Sequence, residues 1–213
     1  MLLCDIYWVV QEWCKALYPR ADKLIYKSKT DLLFLASLGD ITIGDTNGKS
    51  VNYLKGPRWE NEIRAGIQKQ LSKWINHTKV FIFLPTDVPN ISVPECLAKF
   101  AKYNYTTMGS KCDAPLAPLP HQVLYRKLLI EEAARFPNAA RAIDARNFHC
   151  PTGICKALTS DGKPTWLDRM HLSHEVIADS GYDQPLLKLL ERNCINIEKG
   201  TATLPCPNAT VVV

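Results

Sequence analysis

The sequence predicts an α/β fold of three layers, in which helices cover both faces of a mostly parallel sheet. The first observation is a set of three apolar runs with the length and the β-branched or aromatic content of buried strands. These runs are Leu32 to Ala36, Val80 to Leu84, and the shorter Ala142-Ile143. Strands separated by helices of moderate length are typical of parallel sheets.

The second observation is a helical spacing of apolar residues between these runs. Residues 59–75 carry one apolar stripe that consists of Trp59, Ile63, Ile67, Leu71 and Trp74. Residues 122–136 repeat the pattern, and 185–192 predict a last helix. In such folds, sites form in the loops beyond the carboxyl ends of the strands.

Composition and charge narrow the class of protein further. The chain has 213 residues, of which 46% are hydrophobic, which suits one domain with a substantial core. We predict a domain over 1–193 and a disulfide-tethered tail over 194–213. The net charge of +5 is mild and the basic residues are scattered, so we expect no nucleic-acid partner.

Cysteines and glycosylation motifs together favour an oxidising compartment, either extracellular or lumenal. The even number of cysteines suits disulfide bonding, although their connectivity stays open and a cytosolic protein with free thiols is the alternative. The disulfide candidates lie close in pairs: Cys4 and Cys14, Cys96 and Cys112, Cys150 and Cys155, Cys194 and Cys206. The glycosylation candidates, each in an N-x-S/T motif, are Asn76, Asn90, Asn104 and Asn208.

The N-terminal segment conflicts with that compartment. It lacks a basic region, and Asp5 interrupts its apolar run, so it predicts neither a signal peptide nor a membrane span. We therefore expect that Met1 is not the start of the complete natural polypeptide.

Asp168 and His171, in the stretch TWLDRMHLSH, are the predicted catalytic residues. A carboxylate bonded to one imidazole nitrogen fixes the tautomer that leaves the other nitrogen free to take a proton from an alcohol. Three-residue spacing at a turn or helix start lets both side chains reach the same side. Most D-x-x-H patterns are solvated surface residues, so the spacing alone does not establish the function.

The surrounding segments resemble the SGNH hydrolase-like domain fused to membrane acyltransferases of the acyltransferase 3 type. A strand that ends in Asp144, a close cysteine pair, a DG-x-P turn and then D-x-x-H-L-S follow one another in DARNFHCPTGICKALTSDGKPTWLDRMHLSH. KVFIFLPTDVPNISVPECLAKF and TDLLFLAS resemble earlier strands and loops of the same family. The resemblance covers most of residues 4–190.

The resemblance implies that His171 is the general base and Asp168 its orienting acid, acting on the serine of a G-D-S motif. No G-D-S occurs in this sequence. Gly44-Asp45-Thr46 is a poor imitation, and Ser37 has no better support. Gly39 and Asn47 lie where an oxyanion hole is expected, but neither sits in a matching motif.

The missing motif has a structural corollary. In SGNH folds the first strand is central and presents the serine, so this chain is predicted to lack its first central strand. A gap of that kind leaves backbone groups of two neighbouring strands unpaired. Either the sequence is incomplete at its N-terminus, which we favour, or the protein has adapted to a non-catalytic role.

Residues around Asp168 and His171, which we call the couple, allow other interpretations. Cys150 and Cys155, with His149, His171 and His174, could bind zinc, but we expect a disulfide and predict no metal. We expect His174 at the surface.

For three more residues near the couple, a structural role is the first interpretation. Ser173 is expected to cap a helix, and Trp166 to pack beside the site, with substrate stacking as an alternative. Asp87 is expected in a turn before Pro89, where it could approach the mouth of the site.

The resulting hypothesis is an SGNH-like domain of an O-acyltransferase or esterase that requires no cofactor. By resemblance, its partners are an acyl donor, a carbohydrate-like acceptor, and a membrane acyltransferase domain upstream in a full-length protein. We predict that the chain as given is catalytically incomplete. The alternative is a secreted, disulfide-bonded glycoprotein with a non-catalytic binding role.

Overall fold

The computed structural model describes most of the chain and divides it into two compact units. The described residues are 20, 22–36, 43–44, 50–51, 57–101, 109–118, 120–145, 148–168, 171–173 and 183–207. The first unit falls within residues 1–85, 120–145 and 190–213, and the second within 86–119 and 146–189. The predicted boundary at residue 193 stays a prediction.

Among its described residues, the first unit contains a parallel sheet of three strands, which lie side by side in the order Leu32–Ala36, Lys79–Phe83 and Ala140–Ile143. Its elements are α1 (22–28), β1 (Leu32–Ala36), β2 (Ile43–Gly44), β3 (Ser50–Val51), α2 (Pro57–Trp74), β4 (Lys79–Phe83), α4 (Pro120–Ala134), β7 (Ala140–Ile143), β9 (Ile195–Asn196) and β10 (Thr201–Ala202). All three predicted strands are present, and two of the predicted helices appear as α2 and α4 with ends shifted by one or two residues.

One face of this sheet forms the main core. Leu33 and Leu35 lie beside Val80 and Ile82 in register, and all four are buried. The helix α2 covers them with the predicted stripe Ile63, Ile67, Leu71 and Trp74, and α4 adds Leu128 and Leu129. The Trp59 side chain lies outside the described residues. Burial of this alternating set fixes the register, because a one-residue slip would move every side chain to the other face.

The opposite face carries aromatic side chains and an arginine. Phe34 stacks with Phe81 and Phe83, with ring centroids 5.6 and 6.1 Å apart. Arg141, beside Phe81 in register, donates its Nε–H to Asn193 Oδ1 at 2.7 Å. Asn193 directly follows the last helix, α5 (Asp183–Arg192), which was predicted as 185–192. The predicted α/β class, with helices flanking a parallel sheet, is confirmed. The predicted gap before β1 falls on residues 1–19, outside the described ones.

The second unit is smaller and rests on short strands and disulfides. It contains β5 (Val88–Pro89), α3 (Val93–Lys99), a 3₁₀ turn (Gly109–Cys112), β6 (Ala114–Ala117) and β8 (Ile154–Cys155). The strands pair antiparallel in the order β5-β6-β8. The helix α3 starts at Val93, where the prolines of the preceding loop first allow a helix.

Within the described ranges, three disulfides join cysteines that are close in sequence. Cys96–Cys112 and Cys150–Cys155 lie in the second unit, and Cys194–Cys206 lies in the tail of the first. Cys4 and Cys14 lie outside the described residues. Three bridges favour an oxidising environment.

Candidate functional site

Asp168 and His171 lie at the tip of a hairpin whose described residues are 165–168 and 171–173. Trp166 and Leu172 form an antiparallel bridge, and the Leu167 N–H donates to the His171 carbonyl at 2.8 Å. The Ser173 N–H donates to the Thr165 carbonyl at 2.9 Å. This pairing brings residues three apart together, and it corresponds to the turn of the two predicted local structures, a turn or a helix start.

The carboxylate of Asp168 holds both the backbone and the ring of His171. Its Oδ2 lies 2.7 Å from His171 Nδ1, and its Oδ1 accepts the His171 backbone N–H at 2.8 Å. An ionised carboxylate only accepts hydrogen bonds, so Nδ1 carries a proton, and in the neutral imidazole Nε2 then keeps its lone pair. That tautomer is the one a general base needs. The two predicted residues are therefore brought together in a geometry that suits their predicted roles.

The couple remains accessible to solvent. The side chains of Asp168 and His171 are 53% and 48% exposed. Solvent screens a contact exposed to this degree, so the contact contributes little to stability. The contact instead orients the imidazole, because two hydrogen bonds accepted by one carboxylate fix the direction of the ring.

The base of the hairpin is anchored in a core that contains both disulfides of the second unit. Trp166 is 3% exposed and packs in one cluster with Cys112, Cys150 and Cys155. The Thr165 N–H donates to the Ala157 carbonyl at 2.9 Å, which ties the hairpin to the segment after β8. Because the indole is enclosed, it presents no face to a substrate, and the structure does not support the stacking alternative for Trp166.

Ser173 supports the hairpin through its hydroxyl. Its Oγ donates to the Pro164 carbonyl at 2.7 Å, across the hairpin base. We predicted a helix cap, whose hydroxyl would instead accept a backbone N–H. The residues of that predicted helix, 174–181, lie outside the described ones, and His174 is the first of them.

The sulfurs of Cys150 and Cys155 are bonded to each other and are therefore not available as zinc ligands. Within the described residues, there is no group of three or more His, Cys, Asp or Glu side chains placed to hold a metal ion. His149, the third member of the zinc alternative, is half-buried, and this burial lowers its pKa.

A cavity of about 550 Å³ adjoins the hairpin tip. Its described lining is Asn90, Ile91, Ser92, Pro94, Glu95, Leu167 and Asp168. Leu167 is 70% exposed, and Ile91 is 38% exposed, so the cavity combines apolar surface with amide, hydroxyl and carboxylate groups. The sequence analysis did not single out Glu95 or Ser92, although both fall within a segment that resembles the family. Asp87, considered for the site mouth, is not in this described lining.

A second cavity of about 420 Å³ lies beside the DG-x-P turn. Its charged groups already have structural partners. Asp113 bonds Lys156 at 2.7 Å and accepts the Ala157 N–H at 2.9 Å, and a hydrogen bond from Thr159 lowers the pKa of Asp161. Gly162 has a φ of 83°, which explains why the turn needs glycine. These contacts shape the loop.

The other candidates for catalysis are not described. Ser37, Gly39, Asp45, Thr46 and Asn47 lie outside the described residues, and Gly44 ends β2. For the nucleophile and the oxyanion hole, the sequence analysis above therefore stands, and no residue is identified for either.

Comparisons with known proteins bear on the family of this chain. Across the described ranges, no helix has the length and apolar character that a membrane span requires. Neither the curated proteins nor the solved structures gave a match. A family model described as "SGNH domain (fused to AT3 domains)" matches residues 3–178. The match confirms the resemblance, and the chain belongs to this family of SGNH domains, whose members are esterase- or acyltransferase-like hydrolase domains.

Proposed function

We propose that this domain acts on O-acyl groups carried by a carbohydrate or a similar hydroxylated acceptor. The single observation that carries the proposal is the contact of 2.7 Å between His171 Nδ1 and Asp168 Oδ2, on an exposed hairpin tip. The fusion to AT3 domains that the family description mentions supports a membrane acyltransferase domain as its partner. The disulfides support an extracellular or lumenal location.

The roles of the two residues follow from their chemistry. In a complete site, Nε2 of His171 accepts the proton of a serine hydroxyl as its oxygen attacks the acyl carbonyl. The same nitrogen then donates that proton to the departing alcohol, and the acyl group remains on the serine. A second hydroxyl compound, or water, loses its proton to Nε2 and takes the acyl group, and Nε2 then returns that proton to the departing serine oxygen. Asp168 stabilises the imidazolium in both steps.

We further propose that the chain as given does not complete this cycle. The sequence contains no G-D-S motif, so the couple has no identified alcohol to deprotonate. Removing the nucleophile from such a unit removes the covalent route, although binding and orientation can leave slow background catalysis.

Turnover of p-nitrophenyl acetate by the purified chain tests the incomplete cycle. We expect no burst of p-nitrophenol and the same slow rate in wild type, His171→Ala and His77→Ala. His77 is an exposed histidine of the first unit, so its variant measures the background that any surface imidazole contributes. Robust turnover that His171→Ala abolishes and His77→Ala preserves would refute the proposal of an incomplete cycle.

The acyl-transfer role itself is tested in a longer polypeptide. If the reading frame upstream of Met1 encodes a G-D-S block, expression of that longer chain should yield acetate release from an O-acetylated saccharide. His171→Ala and alanine in place of the new serine should each abolish release. Full activity in the His171→Ala variant would contradict the role of the couple.

A second candidate function is a secreted glycoprotein that binds without catalysis. It is favoured by three disulfides and by two exposed N-x-S/T asparagines, Asn76 and Asn90. On this reading, the purified domain binds a glycan by calorimetry and leaves its ester groups intact in the mass spectrum of the recovered ligand. Ester loss during the binding experiment would exclude it.

A further inference from the structure

The cavity beside Asp168 is walled by a complete N-glycosylation motif. Asn90, Ile91 and Ser92 form the sequence N-x-S, and all three residues line the cavity together with Asp168 and Glu95. A group attached to the Asn90 amide therefore starts at the wall of the cavity. This placement is absent at Asn76, which lies on the turn after α2 in the first unit.

The local structure presents Asn90 for modification. Its side chain is exposed, on a bend between β5 and α3. Its backbone N–H donates to the Pro115 carbonyl at 3.0 Å, which fixes the residue to β6. The Cys96–Cys112 disulfide ties α3 to the 3₁₀ turn, so both flanks of the motif are held in place. The same bridges favour the compartment in which such glycans are added.

We propose that Asn90 carries an N-linked glycan that occupies the cavity and shields Asp168 and Glu95. In the modification, the Asn90 amide nitrogen loses a proton and bonds to the anomeric carbon of an oligosaccharide, which leaves its lipid-diphosphate carrier. The glycan and any other ligand of this cavity then exclude one another. Modification at this position decides which forms of the protein keep the cavity open.

The first measurement is the occupancy of Asn90. The chain is fused to a secretory signal sequence and secreted from a eukaryotic cell line, and peptide mapping by mass spectrometry reports modification at Asn90 and at Asn76. We expect a glycan on Asn90 in wild type and in Ser92→Thr, which keeps the motif, and loss of it in Asn90→Gln and Ser92→Ala. An unmodified Asn90 in the secreted wild-type protein overturns the proposal, whatever the state of Asn76.

The second measurement is the accessibility of the cavity. Carboxylates are labelled with a water-soluble carbodiimide and an amine, and the rates at Asp168 and Glu95 are read by peptide mapping. We expect both rates to be several-fold slower in the glycosylated wild type than in Asn90→Gln or Ser92→Ala. Because the two variants change different atoms of the cavity wall, a shared increase identifies the glycan as the shield.

Two controls make this comparison specific. Asp161, 55% exposed and part of the other cavity, should react at the same rate in all proteins. Asn76→Gln should leave labelling at Asp168 and Glu95 as slow as in wild type. Equal labelling of Asp168 with and without the Asn90 glycan refutes the shielding. Neither measurement uses ester turnover, so failure here is distinguishable from failure of the proposed acyl chemistry.

Discussion

Replacement of Trp166 tests how the hairpin that carries the couple is held. The indole is 3% exposed, and burying a side chain of this size removes roughly 200 Å² from water. At about 25 cal/mol per Å², this burial contributes about 5 kcal/mol, and measured losses for Trp→Ala in cores are about 3–5 kcal/mol. We therefore expect Trp166→Ala to lower the free energy of unfolding by about 3–5 kcal/mol.

Trp166→Phe sharpens this test because the indole N–H has no hydrogen-bond partner within the described part of the chain. A buried unpaired donor costs about 1–3 kcal/mol, and phenylalanine removes that donor while it keeps most of the buried ring. The gain offsets the smaller apolar area, so we expect Trp166→Phe to stay within about 1 kcal/mol of wild type. Guanidinium denaturation followed by circular dichroism, with disulfides intact, measures both variants.

The same variants test whether Trp166 positions His171. Nitrogen-15 shifts of His171 report which ring nitrogen carries the proton, and we expect the Nδ1–H tautomer to persist in Trp166→Phe and to be lost in Trp166→Ala. If the phenylalanine variant is as unstable as the alanine variant, the indole N–H is satisfied and the reasoning fails. If the alanine variant keeps the tautomer, Trp166 does not position the couple.

Two further predictions concern stability. Arg64 bonds the buried carboxylate of Glu132 at 2.7 Å and also Glu131 at 2.7 Å, so Arg64→Ala should lower the free energy of unfolding by about 2–4 kcal/mol. Lys127→Ala loses only an exposed contact of 3.8 Å, so it should lower the free energy of unfolding by less than about 0.5 kcal/mol in the same denaturation experiment. Equal losses would contradict a role for the buried carboxylate. Burial lowers the pKa of His149, so the unfolded state binds more protons, and the free energy of unfolding should fall as the pH drops below about 6.5. The pH dependence should shrink in His149→Phe, and an unchanged profile would exclude His149 as its source.

The parallel sheet was predictable because its strands are continuous apolar runs. Leu32–Ala36 is buried alternately and matches its predicted bounds, since the run ends in both directions at polar or small residues. β7 was predicted only as Ala142-Ile143, but it begins at Ala140. Its start is set by pairing, because Ala140 lies opposite Val80 and the Val80 N–H donates to the Ala139 carbonyl. Alanine and arginine have no strong strand signal of their own, so tertiary context decides there.

The second unit was not predictable in the same way. Its strands β5 and β8 have two residues each, and β5 contains Pro89, which a strand tolerates only at an edge or an end. No periodicity exists over two residues. Its core consists of side chains distant in sequence, among them Val93, Cys112, Cys155 and Trp166, which pairing through disulfides brings together. The short separation of the cysteines in the sequence suggested the disulfide pairs, but it does not predict the conformation of the loops around them.

The couple was predictable because its geometry is local, and this locality limits what the couple says about activity. Asp168 bonds the ring and the backbone N–H of the same residue, three positions on, within one hairpin. No described contact of that pair needs the nucleophile, so the orientation of His171 persists whether or not a serine faces it. Catalysis, in contrast, depends on where a distant alcohol lies, and no local pattern encodes that position. The geometry of the couple alone therefore cannot separate an active enzyme from a binding protein, and the decisive comparison pairs His171→Ala with a gain of the G-D-S block.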